Sequence, residues 1–208
     1  MSLTTYANLQ NQVVSFLHRA NLLDAVSADN VPDLIRLGEL WIFRNARTSD
    51  MESALSLTIS SGVATVPSDY AAMKHARIDG SPSRPLKMRP AKWVYERYPL
   101  RSSDGKPFFI ARDGANFVFG PFPDSGYTVL GTYYAKPTSI QSSANALFLA
   151  NPDLYLYAAL AEAEGYTKND KRVALWVAKR NEICKMANDE THEGEQDSPP
   201  DVQADVVA

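Results

Sequence analysis

The sequence contains very little cysteine and histidine, and it has no long apolar run. Its 208 residues include one cysteine, Cys184, and three histidines, which excludes an intrachain disulfide and a cysteine-cluster zinc site. No apolar run approaches the roughly 20 residues that cross a bilayer. The N-terminal stretch MSLTTYANLQ lacks the basic and apolar regions of a signal peptide. We therefore expect a protein suited to a reducing cytoplasm, with no membrane partner.

Residue patterns that carry catalysis are also missing from the sequence. His18, His75 and His192 fall on different predicted elements, without the spacing of a metal site. There is no glycine-rich phosphate loop and no nucleophile elbow. Glu162 and Glu164 lie two positions apart on a predicted helix, so they point in different directions. We predict no enzyme activity and no cofactor; a deep polar pocket with convergent titratable groups would reopen the enzyme alternative.

The overall composition is that of a soluble globular protein, but the charge is unevenly distributed. The chain carries 21 Lys and Arg against 24 acids; residues 189–208 hold seven of these acids and no base, so they carry −7 and residues 1–188 carry +4. Its low apolar content and Pro199–Pro200 predict that this segment, the acidic arm, does not fold alone. The arm contains Asp189, Glu190, Glu193, Glu195, Asp197, Asp201 and Asp205, and then Val206 and Val207.

Helical spacing of apolar residues predicts two helices near each end of the chain. Thr4 or Thr5 can cap the first helix, and Asn30 followed by Pro32 is typical of a helix start. The first two helices cannot bury their apolar stripes alone, so we predict that the last two complete their core. The predicted core positions are Leu34, Leu37, Trp41, Ile42, Leu156, Leu160, Val173, Trp176, Val177, Ile183, Met186 and Ala187.

The stretch from Asn151 to Asn188 predicts a helical hairpin. Asn151 can cap its first helix, and Gly165 offers a stop. Asn169 or Asp170 can cap the second helix. Because the connecting loop is short, the two helices are expected to pack antiparallel and to close a four-helix bundle.

Between Ala54 and Ile140 the period changes from helical to alternating. The clearest strands are 107–112 and 115–120, joined at Asp113–Gly114 by residues that favour a hairpin turn. A third strand is predicted at 127–135, and the sheet is expected to be antiparallel. The predicted fold is α+β: a four-helix bundle made from both chain ends, an antiparallel β insertion and an extended C-terminal arm. The predicted segments are 1–53 for helices 1 and 2, 54–140 for the insertion, 141–188 for the helical hairpin and 189–208 for the arm.

Residues 74–112 form a basic stretch with ten Lys and Arg against three acids. A nucleic-acid surface would use these cations on phosphates and the interleaved aromatic rings for stacking. A solvated face over an aromatic core is the plainer alternative, and contact with acidic surfaces of a partner is a third. Trp93 lies in an irregular segment and is a candidate interface anchor. The candidate residues, called the basic surface below, are Arg84, Lys87, Arg89, Lys92, Trp93, Arg97 and Arg101.

Several sequence motifs, taken in the order in which they occur along the chain, resemble those of one protein family. The run VPDLIRLGELWIFRNARTSDME is similar to the second helix of tailed-bacteriophage adaptor proteins, and PDLYLYAALAEAEGYTKNDKRVALW is similar to their C-terminal helical hairpin. Gly38 departs from the family pattern, where Ala is more usual. The resemblance touches nearly all of residues 3–188. The matching positions of the first motif are Pro32, Asp33, Glu39, Arg44, Arg47, Met51 and Glu52.

The resemblance implies a structural virion protein, not an enzyme. Adaptor subunits of this family form a dodecameric ring that docks on the portal, extends the DNA channel and provides the platform for the tail. It implies as partners the portal protein, a tail or nozzle protein, further copies of the chain and double-stranded DNA passing non-specifically through the channel. The expected location is the neck of the virion, at the head–tail junction, after assembly in the host cytoplasm.

Two further expectations accompany the resemblance. The acidic arm is expected to reach the portal or a neighbouring subunit and to become ordered only on assembly. The alternative function is a DNA-binding protein that uses residues 74–112.

Overall fold

The fold is α+β, with six α-helices and two four-stranded sheets in the described part of the chain. A computed structural model describes residues 3–17, 30–102, 105–163 and 172–196. The elements in chain order are α1 Tyr6–Leu17, α2 Asn30–Asn45, a 3-10 turn Ser49–Met51, β1 Glu52–Thr58, β2 Val63–Thr65, β3 Tyr70–Ile78, β4 Arg84–Pro85, β5 Lys87–Met88, α3 Ala91–Arg97, β6 Phe109–Asp113, β7 Asn116–Gly120, β8 Thr128–Ala135, α4 Ala146–Ala150, α5 Pro152–Glu162 and α6 Val173–Gln196.

The chain divides into two compact units. The helical unit comprises Met1–Asp50 with Pro137–Ala208, and the β unit comprises Met51–Lys136. The helical unit contains α1, α2, α4, α5 and α6, whereas α3 belongs to the β unit. Both ends of the chain therefore contribute to one unit, and the β unit is continuous in sequence.

The predicted four-helix bundle is wrong, because the helices do not surround a shared core as four equivalent members. Helix α5 lies among the others and contacts α1, α2, α4 and α6. Its residues Leu154–Leu156 and Ala158–Ala161 are all buried, and the Tyr155 side chain is only 2% exposed. Buried residues therefore occur on most sides of α5, although Tyr157 is partly exposed. Tyr155 is not among the core positions predicted from the sequence, so its central place was not expected.

Helices α2 and α5 cross at very short range. A Cβ atom added to Gly38 would lie 2.8 Å from the backbone nitrogen of Ala159 and 2.9 Å from the carbonyl carbon of Ala158. No side chain at this position fits without moving one backbone relative to the other. The departure of Gly38 from the adaptor pattern therefore has a packing reason.

The extended C-terminal arm is also wrong for its first residues, because α6 continues to Gln196. Ala187 and Thr191 are buried on the helical unit, which gives this last part of α6 a packed face. The predicted stop at Gly165 and the predicted caps at Asn169 and Asp170 lie outside the described residues.

Two apolar side chains of the predicted core face outward instead. Leu37 is 48% exposed and Met186 is 63% exposed. The buried stripe of α6 includes Arg180, Cys184 and Thr191 together with its apolar members. Most of the positions predicted for α6 lie on this buried face, and Met186 is the exposed exception.

The β unit stacks two sheets, with strand orders β1-β8-β3-β4 and β2-β7-β6-β5. The predicted hairpin is found as β6 and β7, but its turn is Gly114–Ala115 and not Asp113–Gly114, because Asp113 still pairs with Asn116. Gly114 has φ +59°. The third predicted strand, β8, pairs with β1 and β3 in the other sheet.

The expectation of a purely antiparallel sheet is wrong at one edge. Strand β5 runs parallel to β6, and α3 lies between them in sequence. Parallel strands need such a crossover, which is usually helical.

The second sheet is covered on both faces. Ile110, Phe117 and Phe119 pack into the core shared with the first sheet, while Ala111 and Val118 pack against Val94 of α3. Every residue of β7 after Asn116 is therefore buried, and the strand shows no alternation between core and solvent.

Candidate functional site

A buried carboxylate fixes the point where the chain re-enters the helical unit. Glu39 on α2 is 2% exposed. Its Oε1 accepts a hydrogen bond of 2.8 Å from the backbone nitrogen of Ile140, and its Oε2 accepts one of 2.7 Å from Ser139 Oγ. Burial, with the nearby Glu39 and Asp33 carboxylates, raises the pKa of Tyr6. Both carboxylate oxygens are occupied, so Glu39 acts as an anchor for residues 139–140.

Asn145 holds the next part of the chain, at the start of α4. Its Oδ1 accepts a hydrogen bond of 2.8 Å from the backbone nitrogen of Phe148, and its Nδ2 donates one of 2.7 Å to the carbonyl of Thr138. The Tyr155 hydroxyl lies 3.3 Å from the same Oδ1. Burial raises the pKa of Tyr155 well above its usual value, and the hydrogen bond to Asn145 partly offsets that rise.

The end of α2 is held to α6 by a set of hydrogen bonds that we call the clasp. Asn188 Oδ1 accepts from the backbone nitrogen of Arg47 at 2.7 Å, and Asn188 Nδ2 donates to the carbonyl of Asn45 at 3.2 Å. Thr191 Oγ1 accepts from the backbone nitrogen of Ser49 at 3.1 Å. The bond to the Asn45 carbonyl satisfies one of the acceptors that the C-terminal end of a helix leaves without a partner.

The clasp places the beginning of the acidic arm on the helical unit. Asp189, Glu190 and Glu193 are exposed on α6, and Glu195 also falls within this helix. The remaining candidate arm residues, Asp197, Asp201, Asp205, Val206 and Val207, lie outside the described residues.

The candidate core positions have one buried polar neighbour, Arg180, that was not predicted from the sequence. Arg180 on α6 is 9% exposed, and its guanidinium lies 3.9 Å from the centroid of the Trp41 ring. Its Nη1 lies 3.0 Å from Glu162 Oε1, and its Nε has no hydrogen-bond partner among the described residues. Its position four residues after Trp176, on the same helical face, was the available signal. Leu34, Ile42, Leu156, Leu160, Val173 and Trp176 are buried, and Trp41 and Val177 are partly buried.

In the β unit, several arginines of the basic surface are held against aromatic rings. Arg84 lies 4.0 Å from the Phe108 ring centroid, and its Nη1 donates to the carbonyl of Lys106 at 2.8 Å. Arg101 lies 4.9 Å from the Phe122 ring centroid and donates to the carbonyl of Phe119 at 2.7 Å. These guanidinium groups have fixed positions on the β unit.

Helix α3 carries the remaining members of the basic surface, together with adjoining residues. The Trp93 ring packs edge-on against Phe109 at 4.7 Å and has Arg89 at 5.5 Å from its centroid. Lys92 and Glu96 form an exposed ion pair of 3.7 Å. Lys87 and Arg97 are exposed, and neither side chain makes a hydrogen bond, ion pair or ring contact with another described residue.

A polar cleft of about 550 Å³ lies beside the clasp. Thr48 and Asp50 line it from the chain after α2, Asn151 from the start of α5, and Glu190 and Thr191 from α6. The Thr48 hydroxyl is buried and has no hydrogen-bond partner among the described residues. Neither lysine nor arginine occurs among the described residues that line this cleft.

The described residues contain neither a group of side chains placed to bind a metal ion nor a helix that could span a membrane. No group of three or more His, Cys, Asp or Glu is placed to hold a metal ion in that part of the chain. No described helix is long and apolar enough to cross a membrane. Cys184 is buried, and that burial raises the pKa of its thiol, which Arg180 and Arg47 partly offset.

Comparison with known families gives the class of the protein. The sequence model of a family described as SU10 adaptor protein matches residues 4–201 and so covers both units. The chain is a bacteriophage adaptor protein, a structural class of virion component that interacts with portal and tail proteins. It belongs to the SU10 adaptor protein family, which confirms the resemblance carried by the sequence motifs. No curated protein matches the chain.

Proposed function

We propose that this chain is one subunit of a ring that docks on the portal in the neck of the virion. The ring, with twelve subunits as in the resembling family, extends the DNA channel and provides the attachment platform for the tail. The observation that carries this proposal is the family match over residues 4–201, which spans the helical unit and the β unit together. We expect a purely structural role without catalysis, and assembly in the host cytoplasm.

A ring needs a heterologous interface, in which one face of a subunit fits a different face of the next. The charges of this chain suit such an interface, because residues 1–188 carry +4 and residues 189–208 carry −7. Double-stranded DNA passing through the channel would meet the ring without sequence readout.

The clasp limits the part of the acidic arm that can reach a partner. Residues 189–196 continue α6 and are held to the end of α2 through Thr191. The segment that reaches the portal or a neighbouring subunit is therefore 197–208, with its three aspartates and the pair Val206 and Val207. Ordering this segment on binding would reduce the affinity that its contacts provide.

The test compares the full chain with a chain truncated after Gln196, each measured alone and mixed with its portal. Mass photometry should show the full chain joining the portal as a ring. The truncated chain should keep its melting temperature and attach at least about tenfold more weakly, a loss of roughly 1.4 kcal/mol. A truncation after Asn188 is unsuitable because it removes Thr191 and disturbs the clasp.

A full-length chain with the three arm aspartates changed to asparagine serves as the matched charge variant. Attachment of the truncated chain as strong as that of the full chain would exclude a role for residues 197–208. A full chain that ignores the portal and instead retards duplex DNA in a salt-dependent manner would favour the DNA-binding alternative.

A further inference from the structure

We propose that the polar cleft beside the clasp receives a lysine or arginine side chain from a neighbouring copy of this chain. This inference rests on the ring proposed above and identifies one of its subunit contacts. It is carried by the charge of the cleft, by an unpartnered buried hydroxyl in its wall, and by two exposed cations on the β unit.

The cleft selects for positive charge. Asp50 and Glu190 line it from different elements, and the described lining residues include no base. Asp50 belongs to the 3-10 turn after α2, and Glu190 belongs to the last part of α6. A cation between these carboxylates would gain charge-assisted hydrogen bonds, which are stronger than neutral ones.

Thr48 supplies the second, independent observation. The Thr48 residue is 3% exposed, and its Oγ1 lacks a hydrogen-bond partner among the described residues. A buried hydroxyl without a partner costs free energy, which a donor entering the cleft would recover. Thr48 is itself one of the residues that line the cleft, so a donor that enters the cleft comes close to this residue.

The shape and charge of the cleft argue against two other occupants. A metal ion needs several ligands close together, and no group of three or more acids, histidines or cysteines in the described residues meets that need. The chain's own residues 197–208 contain acids and no base, so Asp50 and Glu190 would repel them. A volume of about 550 Å³ has room for a guanidinium or ammonium group together with its alkyl stem.

The β unit supplies suitable cations. Other cations of the basic surface are engaged within the β unit: Arg84 and Arg101 by rings and carbonyls, Arg89 by Trp93, and Lys92 by Glu96. Lys87 and Arg97 are exposed without contacts of this kind to described residues. They can therefore enter a neighbour's cleft without breaking an interaction with another described residue.

A charge-swap experiment tests this pairing. One variant carries Asp50→Lys with Glu190→Lys, a second carries Lys87→Glu with Arg97→Glu, and a third carries all four substitutions. Ring formation on the portal is measured by mass photometry, after circular dichroism has shown that each variant is folded. Each double variant should assemble at least about a hundredfold more weakly, and the fourfold variant should recover most of that loss.

The matched control is Asp79→Lys with Glu182→Lys, which changes the net charge as the first variant does, at exposed positions outside the cleft. It should assemble as well as the unaltered chain. Normal assembly of both double variants, or failure of the fourfold variant to recover, would overturn the pairing while leaving the ring intact. An unaltered chain that forms no ring with its portal would instead remove the proposed function and, with it, this contact.

Thr48→Val separates a binding role from a structural one. Removing an unpartnered buried hydroxyl should leave the melting temperature of the free subunit unchanged or raise it. Assembly should nevertheless weaken by about tenfold, because the incoming cation loses one hydrogen bond. Assembly of Thr48→Val equal to that of the unaltered chain would exclude the hydroxyl from the contact.

Discussion

The helical unit and the β unit place their polar contacts at very different distances along the sequence. In the helical unit, Ser139 binds Glu39 across 100 residues, and Thr191 binds the backbone of Ser49 across 142. In the β unit, Arg101 reaches the carbonyl of Phe119 across 18 residues, and Lys106 reaches that of Pro82 across 24. The polar contacts that join the helical unit thus span more residues than those of the β unit, where the bond from Tyr133 to Asp69 spans 64.

This difference follows from the order of the two units in the chain. The β unit is continuous, whereas the helical unit must bring Asp50 and Pro137 into one body while the β unit separates them in sequence. Closing so long a segment costs entropy, and contacts such as those of Glu39 and Asn188 offset part of that cost. Breaking them should therefore destabilise the helical unit more than breaking surface contacts destabilises the β unit.

The two units can be followed separately by tryptophan fluorescence. Trp41 and Trp176 belong to the helical unit, and Trp93 belongs to the β unit. A Trp93→Phe background therefore reports the unfolding of the helical unit in urea. Changes in the stability of the helical unit are measured in this background, each beside a matched control.

The largest effect is expected for Glu39→Ala. The substitution leaves the backbone nitrogen of Ile140 and the hydroxyl of Ser139 without their acceptor. We expect the free energy of unfolding of the helical unit to fall by about 3 kcal/mol, and Glu39→Gln to cost roughly half as much. Glu96→Ala breaks an exposed ion pair in the β unit, and it is followed through Trp93 in a chain that carries Trp41→Phe and Trp176→Phe instead. It should cost the β unit at most about 0.5 kcal/mol. If the two alanine variants lost equal stability, the polar contacts of the helical unit would not stabilise it more than surface contacts stabilise the β unit.

Gly38→Ala should have the next largest effect. The added methyl group would overlap the backbone of Ala158 and Ala159, which costs about 3 kcal/mol of overpacking. The gain in helix propensity of about 1 kcal/mol leaves a net loss of roughly 2 kcal/mol. Gly194→Ala on α6 is the control, because its added Cβ meets open space, and it should stabilise by up to about 1 kcal/mol. If Gly38→Ala left the free energy of unfolding unchanged, α2 and α5 could move apart without loss of stability.

Asn188→Ala tests the clasp. It removes the acceptor for the Arg47 backbone nitrogen and the donor to the Asn45 carbonyl, so the helical unit should lose about 1 to 2 kcal/mol. Asn181→Ala is the control at an exposed position of the same helix, and better helix propensity should make it slightly stabilising. Hydrogen exchange should also become faster at residues 189–196, and an unchanged rate there would separate the clasp from the order of this segment.

The sequence predicted the local elements of both units better than their contacts. The alternation around Asp113–Gly114 located the hairpin because strand period and turn chemistry act on adjacent residues. Helical spacing likewise located α1, α2 and α5. Strand β5 has only two residues, too few for any period, so its parallel pairing with β6 could not be predicted.

The parts of the fold that were predicted wrongly from the sequence share a physical cause. Periodicity assumes one buried face for each helix, and α5 has several because four other helices contact it. Residues 189–196 were predicted to belong to an extended arm because of their charge. The hydrogen bond from Ser49 to Thr191 that holds them cannot be inferred from the composition of either segment. Arg180 was missed for the same reason, because its burial depends on Trp41 of another helix.

Tyr155→Phe should have the smallest effect at neutral pH and an opposite effect in alkali. Its hydroxyl makes one long hydrogen bond of 3.3 Å to Asn145, so the loss at pH 7 should stay below about 1 kcal/mol. Burial raises the pKa of Tyr155 in the folded state, while the unfolded chain ionises near pH 10. The unfolded state therefore releases its proton first, and the stability present below about pH 10 is lost as the pH rises toward the folded pKa.

Urea unfolding at pH 7 and about pH 11 measures this reversal, because phenylalanine has no proton to release. The unaltered helical unit should lose more stability between the two pH values than Tyr155→Phe does. Tyr157→Phe, at a partly exposed position of the same helix, controls for the loss of a hydroxyl from α5. If Tyr155→Phe and the unaltered chain lose equal stability in alkali, water reaches this hydroxyl, and α5 is less enclosed than its contacts with four other helices indicate.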